Sequence, residues 1–110
     1  MDFNDSTMYT LIIADDLQDD LDDFVYYLLI EKMSIQAANA LLDDYVQTVE
    51  ALKSVAGSLR ILDDPKYAEM GYRKIRFRNH NYYLIYTVEE RTVTVLRMFH
   101  DLQDMDGALK

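Results

Sequence analysis

Gly71-Tyr-Arg-Lys-Ile-Arg-Phe-Arg78, then Asn81-Tyr-Tyr-Leu-Ile-Tyr86, then Thr92-Val-Thr-Val-Leu-Arg-Met-Phe-His-Asp-Leu-Gln-Asp104: these runs decide the fold. Three alternating stretches separated by short polar turns are the pattern of an antiparallel meander. Asn79-His80 and Glu90-Arg91 serve as two-residue turn centres. That choice pairs Arg78 with Asn81 and Glu89 with Thr92, and so determines which side chains share a face. One face then holds Ile75, Phe77, Tyr82, Leu84, Tyr86, Val88, Val93, Val95 and Phe99, with Arg73 and Arg97 at its margins. So apolar a face needs a cover. The opposite face collects Lys74, Arg76, Arg78, Asn81, Tyr83 and His100 beside Ile85, Leu96 and Met98. A cationic, aromatic, histidine-bearing surface is equipped to hold phosphate and stack a base.

Upstream, the cover is easy to find. Residues 1–7 are polar and read as a loose extension, and Met8–Ala14 reads as a short strand apolar enough to lie inside a sheet. Asp15 reads as a helix N-cap with Gln18 at the capping-box position. Leu17, Leu21, Phe24, Val25, Leu28 and Leu29 then recur at helical spacing to about residue 32. Six aspartates among residues 15–23 suit the positive end of that helix. Ser34 caps a second helix whose stripe is Ala38, Leu41, Leu42, Tyr45, Val49, Leu52 and Ala56, with Gly57 as a natural stop. So little chain separates the two helices that they should form a hairpin. Residues 58–70 read as an irregular connection and Asp101–Lys110 as a polar tail. The order strand, helix, helix, strand, strand, strand gives a small α+β domain with a helical hairpin on one sheet face. The domain spans 8–104, with 105–110 left as the tail.

A chain of 110 residues with half its residues apolar is one folded domain with a modest core. Without a cysteine it has no disulfide, thiolate metal site or thiol nucleophile. The opening Met1-Asp-Phe-Asn-Asp5 has no basic stretch leading into an apolar one, and no run is long enough to span a bilayer. A cytoplasmic protein without membrane partners is the expectation. The net charge of −9 argues against nonspecific nucleic-acid binding. Its distribution is uneven: residues 1–70 carry 15 acids and four bases, a net of −11, whereas residues 71–110 carry five acids and seven bases, a net of +2. The molecule reads as an acidic helical half joined to a mildly basic sheet.

The order and spacing of these elements resemble the RelE/ParE superfamily of toxins from type II toxin–antitoxin modules, over about residues 8–104. Met8-Tyr-Thr-Leu-Ile-Ile with Asp16-Leu-Gln-Asp-Asp-Leu is similar to that family's opening strand and first helix. Tyr72-Arg-Lys-Ile-Arg76, Asn81-Tyr-Tyr-Leu-Ile-Tyr86 and Val93–His100 resemble its three terminal strands. The resemblance implies a cognate antitoxin as partner and no cofactor or metal. In members that cleave mRNA on the ribosome, a ribose 2′-hydroxyl attacks the adjacent phosphate while basic side chains neutralise it and move protons. Lys74 and Arg76 fall where those nucleases carry catalytic lysines, and His100 joins them as general acid or base. Arg78, Asn81 and Tyr83 would then bind RNA. Two departures from the nuclease pattern stand out: Tyr83 stands at a usual arginine, and Leu102-Gln103 stands where one or two arginines often follow the last strand.

Three functions follow as expectations. The first is a metal-independent, ribosome-dependent mRNA endoribonuclease. The alternatives are a DNA gyrase inhibitor of the ParE kind, or a degenerate member that acts only as a protein-binding module through its acidic helices. Arg73, on the helix-covered side, is expected to form a structural ion pair with Asp43 or Asp44. His80, in a turn, is expected to be incidental. The aspartates at 15–23 have no calcium-loop spacing.

Overall fold

The computed structural model describes residues 8–109; the extension expected at residues 1–7, like Lys110, lies outside them. The elements are β1 (Thr10–Ile13), α1 (Asp15–Tyr26) continued by a π-helical turn (Tyr27–Glu31), and α2 (Ile35–Val55) with a 3₁₀ turn (Ala56–Ser58). They continue with α3 (Pro65–Glu69), β2 (Arg73–Arg76), β3 (Tyr82–Glu89), β4 (Thr92–His100) and α4 (Met105–Ala108). The four strands form one sheet in the order β1-β4-β3-β2. β2, β3 and β4 pair antiparallel as a meander, while β1 runs parallel to β4. The α+β architecture of two long helices against a meander is the one expected.

β1 does not lie inside the sheet, as its apolar composition suggested. Among the described residues it pairs only with β4, at an edge of the sheet, and Ile12 and Ile13 are exposed. A parallel partner needs a crossover connection, and the two helices provide it. The strand-to-helix corner also differs in detail. Ala14, not Asp15, is the residue before the first turn: its N–H donates to Val95 O, and its carbonyl accepts from Leu17 and Gln18. Asp15 therefore sits in the first turn, and Gln18 bonds Asp22 instead of closing a capping box. Ser34 caps α2 as expected, its hydroxyl accepting from the Ala37 N–H at 3.0 Å.

The expected helical stripes face the core, with Phe24, Val25, Leu28, Leu42, Tyr45 and Val49 half-buried, except that Leu29 is exposed. Leu17, Leu21, Leu41, Leu52 and Ala56 pack into one cluster with Leu84, Tyr86, Val93, Val95 and Met98. Tyr86 lies at its centre, fully buried, and its hydroxyl donates to Ala56 O at 2.8 Å. Burial pushes that phenol's pKa up to about 12. The last carbonyls of a helix have no partner within it. Here Tyr86 takes one, and Arg73 takes those of Gly57 and Leu59 just beyond. Arg73 is thus structural, but its partners are backbone carbonyls and not Asp43 or Asp44. Gly57 has no positive φ; its small size makes room for the Tyr9 hydroxyl.

Both hairpin registers match the expected turns: Arg76 pairs with Tyr83 and Glu89 with Thr92. The second turn is made with Glu90 at φ 57. The alternation then breaks. Tyr86 pairs with Val95, but Ile85 pairs with Arg97, so Leu96 is an extra residue in β4. This β-bulge turns over every side chain after it. Met98 and His100 move to the helix-covered face, and Arg97 and Phe99 move to the other, the reverse of the expected assignment. Asp20 of α1 holds the bulge in place. Its carboxylate accepts from Arg97 Nε at 2.7 Å and Nη2 at 3.1 Å, and from the Met98 N–H at 2.9 Å. Asp20→Ala removes a charge-assisted pair and strands a backbone donor, so a loss of about 2–3 kcal/mol in urea unfolding is expected.

Candidate functional site

β2 places Lys74 and Arg76 on the face away from α1 and α2, opposite Ile85 and Tyr83. Both are exposed, as alternation predicts, yet each already has a partner. Arg76 Nη2 lies 2.5 Å from Asp101 Oδ2. That bond raises the guanidinium pKa and holds the Asp101 carboxyl below its ordinary value. Lys74 Nζ sits 4.7 Å from the centre of the Tyr83 ring, a cation–π distance.

Tyr83 does not offer its ring to solvent. It is buried with Ile85 and Phe99 in a second cluster, against which Leu62, Tyr72, Met105 and Leu109 pack. The polar tail expected after Asp101 thus carries α4, which covers part of the supposedly open face. α3, in the connection expected to be irregular, helps fasten it. Asp64 caps α3, Tyr67 stacks on Tyr72 at 5.8 Å, and the Tyr67 hydroxyl donates to Asp106. Lys66 adds a charge 3.5 Å from Asp106, and Arg97 Nη1 reaches Ala108 O at 3.3 Å.

His100 is on the other side of the sheet. It pairs with Tyr82 and meets that ring edge-on at 4.9 Å. Its Nδ1 accepts the Leu102 N–H at 3.1 Å, so in the neutral ring the proton is on Nε2. The His100 N–H donates to Gln103 Oε1 at 2.7 Å. A groove of about 480 Å³ opens here, lined by Asp23, Phe24, Tyr27, Tyr82, His100 and Leu102. The structure therefore brings Lys74, Arg76 and Tyr83 together and separates His100 from them. Arg78 and Asn81 are exposed in the β2–β3 turn, where the Asn81 carbonyl accepts from the Asp101 N–H at 2.9 Å.

The same turn contains the residue that sequence reasoning dismissed. His80 Nδ1 is 2.6 Å from Asp44 Oδ2, and Asp44 also accepts from the N–H groups of Asn79 at 2.9 Å and Arg78 at 3.3 Å. The Asp44 side chain is only 1% exposed. A signal for it was present. Leu41, Asp44, Thr48 and Leu52 lie at helical spacing on the buried side of α2, and a carboxylate there needs donors.

Comparison with known proteins places this arrangement. The sequence pattern of the ParE toxin of the type II toxin–antitoxin system parDE matches residues 11–105. The chain belongs to the ParE toxin family. Among solved structures, this ParE-family chain is similar to one from a chromosomal ParDE toxin–antitoxin system of P. aeruginosa. The TM-score is 0.68 at 21% identity, covering 86% of this chain and 97% of the other. It also resembles a conserved hypothetical protein of Helicobacter pylori, with a TM-score of 0.53 at 16% identity, covering 84% and 94% of the two chains. At these identities the likeness is one of fold. No match is found among curated protein sequences. Among the described residues, no helix is long and apolar enough to cross a membrane.

Two titrations check the site's electrostatics. Burial alone would raise the Asp44 pKa, but the hydrogen bonds from His80, Asn79 and Arg78 outweigh it and the net shift is downward from 3.8. A depressed carboxylate stabilises the fold above its unfolded pKa, and that contribution fades as pH falls through the lower folded value. The urea midpoint should therefore drop as pH is taken below about 4, and Asp44→Asn should flatten that limb while lowering stability at neutral pH. The Tyr67 phenol is pushed up to about 12, first by its bond to Asp106 and next by burial. In an ultraviolet titration, Asp106→Asn should bring one tyrosine back toward the ordinary range.

Proposed function

We propose that this ParE-family chain is the toxin of a type II pair, silenced by a cognate antitoxin in the cytoplasm, and that it acts by binding a protein target. The target favoured is DNA gyrase, in the ParE manner, with no cleavage of RNA. The observation that carries this reading is the bulge at Leu96, which puts His100 on one side of the sheet and Lys74 with Arg76 on the other. A 2′-hydroxyl attack needs a base, a phosphate clamp and an acid around one phosphate, within hydrogen-bond reach of it. Residues on opposite faces of a sheet do not meet that condition. The Arg76–Asp101 pair and the α4 cover over Tyr83 support the same reading, because RNA would have to displace both.

Ribosome-dependent mRNA cleavage by Lys74, Arg76 and His100, with Arg78, Asn81 and Tyr83 binding RNA, is the reading it competes with. The exposure of Lys74 and Arg76 beside one another is what favours that alternative. Inducible expression in a bacterial host separates the two. The expected result is growth arrest with intact ribosome-bound messages and inhibition of supercoiling by purified gyrase when the protein is added. The combined change of Lys74, Arg76 and His100 to Ala should leave that arrest unchanged. Cut messages in the wild type, lost in the triple variant, would overturn the proposal in favour of the nuclease.

A further inference from the structure

The groove between α1 and the end of β4 has no part in the toxin reading above, yet it is chemically specific. Its walls are the rings of Phe24, Tyr27, Tyr82 and His100, and its rim carries the Asp23 carboxylate. Phe24 meets Tyr82 edge-on at 4.8 Å, as His100 does at 4.9 Å, so the three rings pack on one another. Tyr27 is 47% exposed and Leu102 is 90% exposed, leaving apolar surface facing water at the mouth. Burial raises the pKa of the Tyr82 phenol, and the nearby Tyr27 phenol adds to that rise. Two phenol oxygens and a carboxylate are acceptors, and the rings present π-faces.

The approach to the groove is negative. Asp16, Asp19 and Asp23 recur at i, i+3 and i+7 on α1, which puts them in a stripe leading to Tyr27. Asp19 and Asp23 have no side-chain partner among the described residues. Such a surface repels phosphate and attracts cations. Lys32 already shows the preference, its Nζ lying 5.7 Å from the centre of the Tyr27 ring. A flat guanidinium suits the site better than an ammonium. It stacks on aromatic rings while its five N–H groups bond several acceptors at its edge.

We propose that this groove seats an arginine side chain of a basic polypeptide partner, stacked against Tyr27 and Tyr82 and neutralised by Asp23, with the α1 aspartates steering the flanking basic residues. The partner's chemistry is a short arginine-bearing segment with aliphatic or small neighbours that rest on Leu102. Because binding is read directly, the result does not depend on whether the chain is toxic or on what it poisons.

The test is nuclear magnetic resonance titration of the full chain with a blocked tri-arginine peptide. Tri-lysine, tri-citrulline and tri-leucine counterparts run in parallel. Tri-arginine should give saturable shifts centred on Tyr27, Tyr82 and His100. Asp23→Asn and Tyr27→Ala should each weaken binding by roughly threefold to tenfold, as loss of one ion pair or cation–π contact implies. Both positions are exposed, so unchanged shifts elsewhere will verify folding. Tri-lysine should bind more weakly, and the two uncharged peptides should not bind. Lack of saturable shifts, binding that survives both substitutions, shifts spread evenly over the α1 aspartates, or equal binding of any counterpart would overturn the proposal.

Discussion

Leu96 is one residue too many for the β3–β4 ladder, and the rest of the molecule is arranged around that excess. A strand has a side-chain period of two, so one inserted residue exchanges the faces of everything beyond it. Without the bulge, Met98 would leave the main core and Phe99 would enter it. With it, Leu84 and Met98 meet on the helix side, while Tyr83, Ile85 and Phe99 seed a second cluster on the other. A bulge is kept only when something holds it. Asp20 does so by accepting Arg97 and the Met98 N–H at the edge of β4, where β1 has already ended.

α2 is tied to the sheet at two places along its length. Near its middle, buried Asp44 gathers two backbone N–H groups and the His80 ring from the β2–β3 turn. Beyond its end, carbonyls that no helix can satisfy internally go to Tyr86 and Arg73. The Asp44 and Tyr86 contacts leave no unpaired polar group in the interior, where such a group costs about 1–3 kcal/mol. The outcome is a sheet whose β2–β3 hairpin is fixed in position, so Lys74, Arg76 and Arg78 are presented from a rigid element.

The protein's charge is spent in two ways. Most of the basic residues on the sheet are engaged locally, Arg76 by Asp101, Arg97 by Asp20, and Arg73 by carbonyls. On α1, Asp19 and Asp23 are exposed with no side-chain partner among the described residues, and Asp23 lines an aromatic groove. A surface of that kind selects cationic partners, whereas a basic sheet with its charges paired and its aromatics covered is a weak nucleic-acid platform. The acidic half therefore has as strong a claim to be a recognition surface as the sheet does.

The sequence by itself determined the elements that depend on periodicity and local chemistry. The helical stripes from Leu17 and from Ala38, the Ser34 cap, the two hairpin registers and the α+β order could all be read, because each rests on residues close together in the chain. The resemblance to a toxin superfamily was legible for the same reason. Tertiary structure alone decided the rest. A bulge has no composition of its own, so the face of His100 could not be read from Thr92–His100. The value of His80 depended on Asp44, a residue 36 positions away. The last ten residues looked like a polar tail, since Met105 and Leu109 gain a role only when Tyr83 and Phe99 are brought beneath them. Local pattern specifies which elements form. Which side chains meet is set by contacts distant in sequence, and at this site one unpaired residue decided them.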